Sequence, residues 1–230
     1  MAKIFLGVGH GGSDPGATAN GLKEKYLNLA IALACRDELE RHDVQVLMSR
    51  TKDENDTLTE EIKECNAYRP DYALDIHNNA GGGDGVELFY HFKGGKSKTF
   101  AQNILDAVVA GTGQNSRGLK TRKGSDGRDY YGFIRETTPP AAIIETAFVD
   151  NANDVKIIDT AAEQKAMGQA IAKGILKTLG ITYKAPVQKP AATVGKLYRV
   201  QVGAYADKAN AEKMQKQLKA LGFDAIIKEG

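Results

Sequence analysis

The stretch Lys3-Ile4-Phe5-Leu6-Gly7-Val8-Gly9-His10-Gly11-Gly12-Ser13-Asp14-Pro15-Gly16-Ala17, with Glu24 a short way beyond it, decides the fold class. Its apolar opening, Lys3–Val8, reads as a buried strand. The glycines around His10 allow a sharp turn and a close approach to a ligand. An apolar face through Leu22, Tyr26, Leu29 and Leu33 then predicts a helix over Leu22–Arg41. The alternation continues along the chain. Strands are expected at Val44–Met48, Tyr72–Ile76, Val86–Phe92 and Ala141–Thr146, with shorter ones at Gly118–Arg122 and Tyr130–Arg135. Helices are expected at Thr57–Tyr68, where Thr57 and Glu60 are spaced as a capping box, at Lys98–Ala110 before Gly111 and Gly113, and over Val155–Leu179, in one or two pieces, up to Gly180. Strands alternating with helices imply an α/β fold: a mixed, mostly parallel sheet flanked by helices on both faces.

In such a sheet the loops at the carboxyl ends of the strands gather on one edge, where α/β proteins place their sites. His10 lies just past the first strand, and His77 ends the third. Glu24 falls in the first turn of the first helix, whose N-terminus faces the same edge. Glu145 interrupts the apolar run Ala141-Ala142-Ile143-Ile144, where an ionised carboxylate is costly unless paired or near a metal. Two imidazoles and two carboxylates are the inventory of a hydrolytic zinc site: three protein ligands, an open position for water, and a separate carboxylate as base. Plainer readings stand beside this one. Glu24 could serve only the helix dipole. Either histidine could be structural, as His42 and His91 are read to be, and Glu145 could pair with Arg135.

Composition narrows the class. The 230 residues accommodate one full domain and a small appendage. Ile4–Val8 is too short for a signal h-region and has no small-residue cleavage site, and no apolar stretch would span a bilayer. The expectation is a soluble chain made in the cytoplasm without a signal peptide. Cys35 and Cys65 lack metal-like spacing and read as core. Residues 181–230 carry nine Lys or Arg against four Asp or Glu, while the remainder carries 22 against 25. A basic tail on a slightly acidic body suits an anionic partner, whether wall polymer, nucleic acid or membrane surface, although a solvated helix face also accounts for much of it. Residues 181–195, with Pro186 and Pro190 among lysines and alanines, read as a linker. Beyond it, alternation over Leu197–Val202, helical spacing through Ala211, Met214, Leu218 and Leu221, and a strand-like Phe223–Ile227 predict a small C-terminal βαβ module.

Several separated segments bear a family likeness in their order. Gly9-His10-Gly11-Gly12-x-Asp14-Pro15-Gly16-Ala17, Glu24, Ile76-His77-x-Asn79-Ala80, Gly85-Val86-Glu87, Arg117-Gly118-Leu119 and Pro140-Ala141-x-Ile143-Ile144-Glu145-Thr146-x-Phe148 resemble the zinc-dependent N-acetylmuramoyl-L-alanine amidases of the type 3 class over about residues 1–180. The resemblance implies that His10, Glu24 and His77 ligate zinc and that Glu145 is the catalytic carboxylate. Asp75 and Asn78 depart from the small residues common around the second histidine, and Ala147 stands where Gly is common. The tail, from Tyr198-Arg199-Val200-Gln201-Val202-Gly203 to Leu221-Gly222-Phe223, resembles one repeat of a SPOR-type peptidoglycan-binding domain, which normally holds two.

The organisation expected is therefore a catalytic domain over 1–180, a linker over 181–195 and a wall-binding half-repeat over 196–230. By resemblance the activity is hydrolysis of the amide between N-acetylmuramic acid and L-alanine in peptidoglycan, by an endolysin or autolysin that reaches the wall through lysis. A zinc peptidase acting on a stem-peptide bond, or a peptidoglycan-binding protein with structural zinc, are the alternatives. Peptidoglycan is the expected partner, with no nucleic acid or membrane. A lone repeat of this size can hardly bury its own core, so it must dock on the catalytic domain, pair with a second copy or stay loosely folded; a homodimer through the tail and a monomer with the tail packed on its own catalytic domain are the competing readings. The sequence assigns no role to Glu87 or Arg135.

Overall fold

The computed structural model describes residues 1–185, 201–220 and 225–228. These fall into two compact units, Met1–Lys184 and Ala185–Gly230. The first unit runs in the order β1 (Lys3–Val8), β2 (Thr18–Ala19), β3 (Leu22–Lys23), α1 (Glu24–Glu40), β4 (Gln45–Met48), α2 (Leu58–Tyr68), β5 (Tyr72–Asn79), β6 (Val86–Tyr90), α3 (Lys96–Thr112), β7 (Ser116–Lys120), α4 (Gly132–Glu136), β8 (Ala141–Phe148), α5 (Ala152–Val155) and α6 (Ala161–Leu179). Six strands form one sheet in the order β4-β1-β5-β8-β6-β7. Every pairing is parallel except β6 with β8. The expected mixed, mostly parallel α/β sheet is therefore the one observed.

Side chains alternate across each strand, so a fully covered sheet has two apolar faces. Ile4, Leu6, Leu74, Ile76, Leu88, Ala142 and Ile144 join α1, α3 and α6 in the larger core. Phe5, Ala73, Ala141 and Ile143 point the other way, to a smaller cluster with Cys65 of α2 and with Phe133 and Ile134 of α4. Asp75, His77 and Glu145 follow the second set by the same two-residue period. The period thus directs the candidate site to the thinner face. Both cysteines are free and buried in these cores.

Helix ends follow local chemistry. Thr57 and Glu60 form the expected capping box of α2, and Thr160 with Glu163 forms another at α6. Gly180 closes α6 in the left-handed conformation.

Two expectations are corrected. The first helix starts at Glu24, not Leu22, because Leu22 and Lys23 pair with Thr18 and Ala19 in a two-residue hairpin. Its turn, Asn20-Gly21, has positive φ at both positions, the pattern that Asn-Gly favours. Tyr130–Arg135 is not a strand. Residues 132–136 form α4, which buries the adjacent Phe133 and Ile134, and Arg135 donates to the carbonyls of Asp129 and Tyr130. Aromatic residues favour strands only where a pleated neighbour awaits them. The helical stretch expected over Val155–Leu179 in one or two pieces is found as two, α5 and α6.

In the second unit, α7 (Lys208–Ala220) occupies the region of helical spacing. Residues 197–200 and 223–224 of the two expected strands, and Gly222 between helix and strand, lie outside the described residues. Among the described residues, 201–202 and 225–227 have no strand pairing. No helix among the described residues is long and apolar enough to cross a membrane.

Candidate metal centre and active site

His10 stands at the end of β1 with φ 62°, a left-handed conformation that is uncommon for a side-chain-bearing residue and recurs at functional sites. Hydrogen bonds hold it there. Gly11 and Asp14 exchange backbone bonds across the loop, and Gly16 N donates to Asp14 Oδ1. Arg50, almost fully buried, donates to the carbonyls of Val8, Gly9, Lys25 and Lys52 and so clamps the loop to α1. Gly9 has to lack a side chain, because a Cβ there would enter the His77 ring.

The loop, the start of α1 and β5 bring His10, Glu24 and His77 together. One ligating atom from each lies within 4.8 Å of the others. Glu24 Oε2 is 3.1 Å from His10 Nε2, and Glu24 Oε1 is 3.0 Å from His77 Nδ1. Each imidazole turns its other nitrogen to a carboxylate: His10 Nδ1 to Asp14 Oδ2 at 2.8 Å, and His77 Nε2 to Asp75 Oδ2 at 3.1 Å. This pairing fixes the ring orientation and leaves the inner nitrogens to a shared ligand, as in carboxylate–histidine–metal arrangements. Burial opposes the charge on Glu24, yet hydrogen bonds from His10 and His77 hold its carboxyl below the ordinary range. The Glu24 hydrogen bond raises His10. Burial works against a charged His77, and Asp75 with Glu24 overcomes it, so that it too is raised. In this cluster two histidines and one buried carboxylate crowd their polar atoms around a common point, and the donor set fits a divalent metal.

Glu145 lies beside this cluster. It pairs laterally with His77 across the parallel β5/β8 ladder and with Glu87 across the antiparallel β6/β8 ladder. Its Oε2 is buried without a hydrogen-bond partner. Burial pushes the carboxyl up to about 7. The alternative pairing with Arg135 is not found, since Arg135 binds the backbone of Asp129 and Tyr130 and the side chain of Glu136. Glu87 instead accepts from Arg117 and Asn79. A cleft of about 300 Å³ opens here, and its lining includes His10, His77 and Glu145, the carboxylates Asp56, Glu61 and Asp75, and Leu58, Tyr131 and Phe133.

The remaining histidines stay apart. His42 is buried between the Glu38 carbonyl and the Lys184 backbone N–H, and His91 faces Asp129. The sequence reading passed over Asp14, Asp75 and Arg50. Asp14 follows His10 by four residues in a turn-rich loop, and Asp75 precedes His77 by two on one strand face. That spacing is the signal they carried. Arg50, alone after a strand, carried none. Asp75 also meets Glu61 of α2. Burial and the Asp75 charge push Glu61 well above the usual carboxylate range.

Comparison with known proteins agrees with this geometry. Residues 4–177 match the family described as N-acetylmuramoyl-L-alanine amidase, and residues 169–229 match the SPOR domain. The chain is 37% identical over 230 residues to the N-acetylmuramoyl-L-alanine amidase CwlM of Bacillus licheniformis, covering 99% of this chain and 85% of that one. It is 36% identical to the sporulation-specific N-acetylmuramoyl-L-alanine amidase of Bacillus subtilis (strain 168), covering 99% and 84%. Among solved structures, Cwp6 from Clostridium difficile superposes with a TM-score of 0.76 at 38% identity, over 77% of this chain and 29% of that one. The catalytic domain of CwlV from Bacillus (Paenibacillus) polymyxa var. colistinus gives 0.71 at 29% identity, over 79% and 100%. With a match across most of its length and a His-Glu-His triad in place, the chain belongs to the N-acetylmuramoyl-L-alanine amidase family of cell-wall hydrolases, with a SPOR domain at its C-terminus.

Proposed function

We propose that His10, Glu24 and His77 hold zinc, and that Glu145 takes and returns the proton as the amide between N-acetylmuramic acid and L-alanine is hydrolysed. The lateral pairing of His77 with Glu145 carries this reading, because it sets an unpartnered carboxylate oxygen beside the three-donor cluster. No fourth His, Cys, Asp or Glu joins that cluster among the described residues, which suits an open catalytic site better than a closed structural one. Zinc bound there supplies an acidified water and a Lewis acid for the substrate carbonyl.

The chain's own residues supply the rest. Asp14 and Asp75 hold the imidazoles by their outer nitrogens, so the inner ones stay available as ligands. Glu145 accepts the proton of the attacking water as its oxygen bonds to the lactyl carbonyl carbon. When the C–N bond breaks, Glu145 delivers that proton to the departing nitrogen, which leaves as the amino group of L-alanine. Leu58, Tyr131 and Phe133 give the cleft lining apolar surface against which substrate can seat. Digestion of purified peptidoglycan is expected to release L-alanine amino termini and no new reducing sugar ends, read by mass analysis of the fragments. Amino termini from residues inside the stem peptide would instead assign a peptidase.

The proposed organisation is a catalytic domain over 1–180, a linker over 181–195 and a wall-binding half-repeat over 196–230. Resemblance to a sporulation-specific amidase and to the endolysin of Bacillus phage SPP1 supports access to the wall through lysis. The tail exposes Val202, Tyr205, Ile226 and Ile227, and a single repeat needs a partner for such side chains. Two tails paired about a two-fold axis would supply it and give bivalent wall binding. Sedimentation is expected to show a dimer of the full chain and a monomer of residues 1–180. A monomeric full chain at micromolar concentration rejects the dimer.

A further inference from the structure

Behind the metal-facing side of the sheet lies a second polar layer that the reaction does not touch. Because side chains alternate along a strand, Asn78 and Thr146 project to the face opposite His77 and Glu145. There they meet Asn28 of α1. Asn28 and Thr146 are wholly buried and Asn78 nearly so. Two amides and a hydroxyl in an apolar core are costly unless each is bonded, and here the bonds run in one direction. Thr146 Oγ1 donates to Asn78 Oδ1 at 2.6 Å. Asn78 Nδ2 donates to Asn28 Oδ1 at 2.7 Å. Asn28 Nδ2 then donates to Glu24 Oε1 at 3.2 Å and to the Gly9 carbonyl at 2.9 Å. The backbone N–H of Asn78 reaches the same Glu24 oxygen at 3.1 Å.

The acceptors at the far end set the polarity of the whole chain. The Glu24 carboxylate and the Gly9 carbonyl can only accept, so Asn28 has to turn its NH2 to them and its Oδ1 to Asn78; Asn78 then has to donate its NH2 to Asn28, which leaves its own Oδ1 for the Thr146 hydroxyl to satisfy. Flipping either amide would press two oxygens together. The chain also joins every segment of the site: Thr146 adjoins Glu145, Asn78 adjoins His77, Asn28 lies one turn beyond Glu24, and Gly9 adjoins His10.

We propose that Thr146, Asn78 and Asn28 are positioning residues, a one-way hydrogen-bond chain that holds Glu24 and the Gly9–His10 backbone in the arrangement that binds metal. The inference rests on Glu24 being a ligand, as read above. The test measures zinc affinity of the purified full chain by competition with a chromophoric chelator, together with the visible spectrum of the cobalt-loaded protein and the melting temperature of the metal-free protein. Thr146→Val keeps the shape and removes the proton donor. It is expected to weaken zinc binding about 10- to 100-fold, the usual cost of losing an outer-shell partner, and to shift the cobalt spectrum. Thr146→Ser restores the hydroxyl and is expected to restore affinity. A lower melting temperature for Thr146→Val with parental zinc affinity would show a merely structural role and overturn the proposal. Should Thr146→Val fail to fold, Asn78→Ala carries the same test, with weakened zinc binding expected and parental affinity contrary to the proposal. Glu24→Ala separates the two levels. Parental affinity in Glu24→Ala overturns the ligand reading and this inference with it, whereas lost affinity there with parental affinity in Thr146→Val overturns this inference alone.

Discussion

Glu145→Gln is expected to keep its metal and its fold while turnover of purified cell wall falls by about 10²–10⁴-fold, the usual weight of a general base. The substitution preserves volume and leaves the β8 ladder intact. The Glu145 oxygen at issue has no hydrogen-bond partner, so its loss breaks no internal bond. Burial pushes the carboxyl up to about 7, which means that ionisation is already opposed at this position. A neutral amide removes that burden, so the melting temperature is expected to hold or rise. What the amide lacks is the ability to accept a proton from water and return it to the amine. Release of dye from labelled wall and elemental analysis of the same preparation test both halves. Wall digestion at the parental rate would reject the role of Glu145 as base, and loss of metal would make it a ligand instead.

His77→Ala is expected to abolish both metal retention and activity. The imidazole presents Nδ1 to the ligand cluster and Nε2 to Asp75, so the substitution removes a ligand and strands one neighbour. Glu24 keeps the Asn28 amide and the backbone N–H groups of Ala17 and Asn78, but Asp75 loses its one hydrogen-bond partner among the described residues. The affinity loss should exceed the roughly 10- to 100-fold typical of an outer-shell partner. The stranded carboxylate adds a stability cost of about 1–3 kcal/mol. Metal content should therefore be measured well below the melting transition, so that unfolding does not stand in for ligand loss. A His77→Ala protein that retains a full complement of metal would exclude His77 from the centre. The same measurement on His10→Ala is expected to give the same result, because Glu24 lies between the two rings and contacts each.

Much of this molecule is local, and local features are legible in a sequence. The continuous apolar runs Ile4–Val8 and Ala141–Ile144 announce both the strands and their two covered faces, because a parallel sheet covered by helices on each side leaves no polar face to alternate with. Thr57 and Glu60 announce a helix start because the capping box closes within a single turn. His10, Glu24, His77 and Glu145 could be nominated because strand ends collect on one edge of a parallel sheet, which follows from chain direction alone. Asn20-Gly21 is equally local: the hairpin turn that this pair favours places the start of the helix beyond it, at Glu24.

Other features depend on distance in the chain. The period of a strand names its faces but not its neighbours, so the antiparallel approach of β6 to β8 and the lateral meeting of His77 with Glu145 required the sheet to assemble. Phe133 and Ile134 became helical because the second core lay beneath α4, against their own preference for extended backbone. Asp14 and Asp75 gained meaning only when the rings of His10 and His77 turned toward them. The same is true of Arg50, whose guanidinium serves four carbonyls from three stretches of chain, and of Thr146, whose hydroxyl reaches Glu24 through residues 68 and 118 positions away. The sequence by itself determined which residues could perform the chemistry. The tertiary structure decided their partners and the direction of each hydrogen bond, because a buried polar group takes whatever donor or acceptor packing brings within reach.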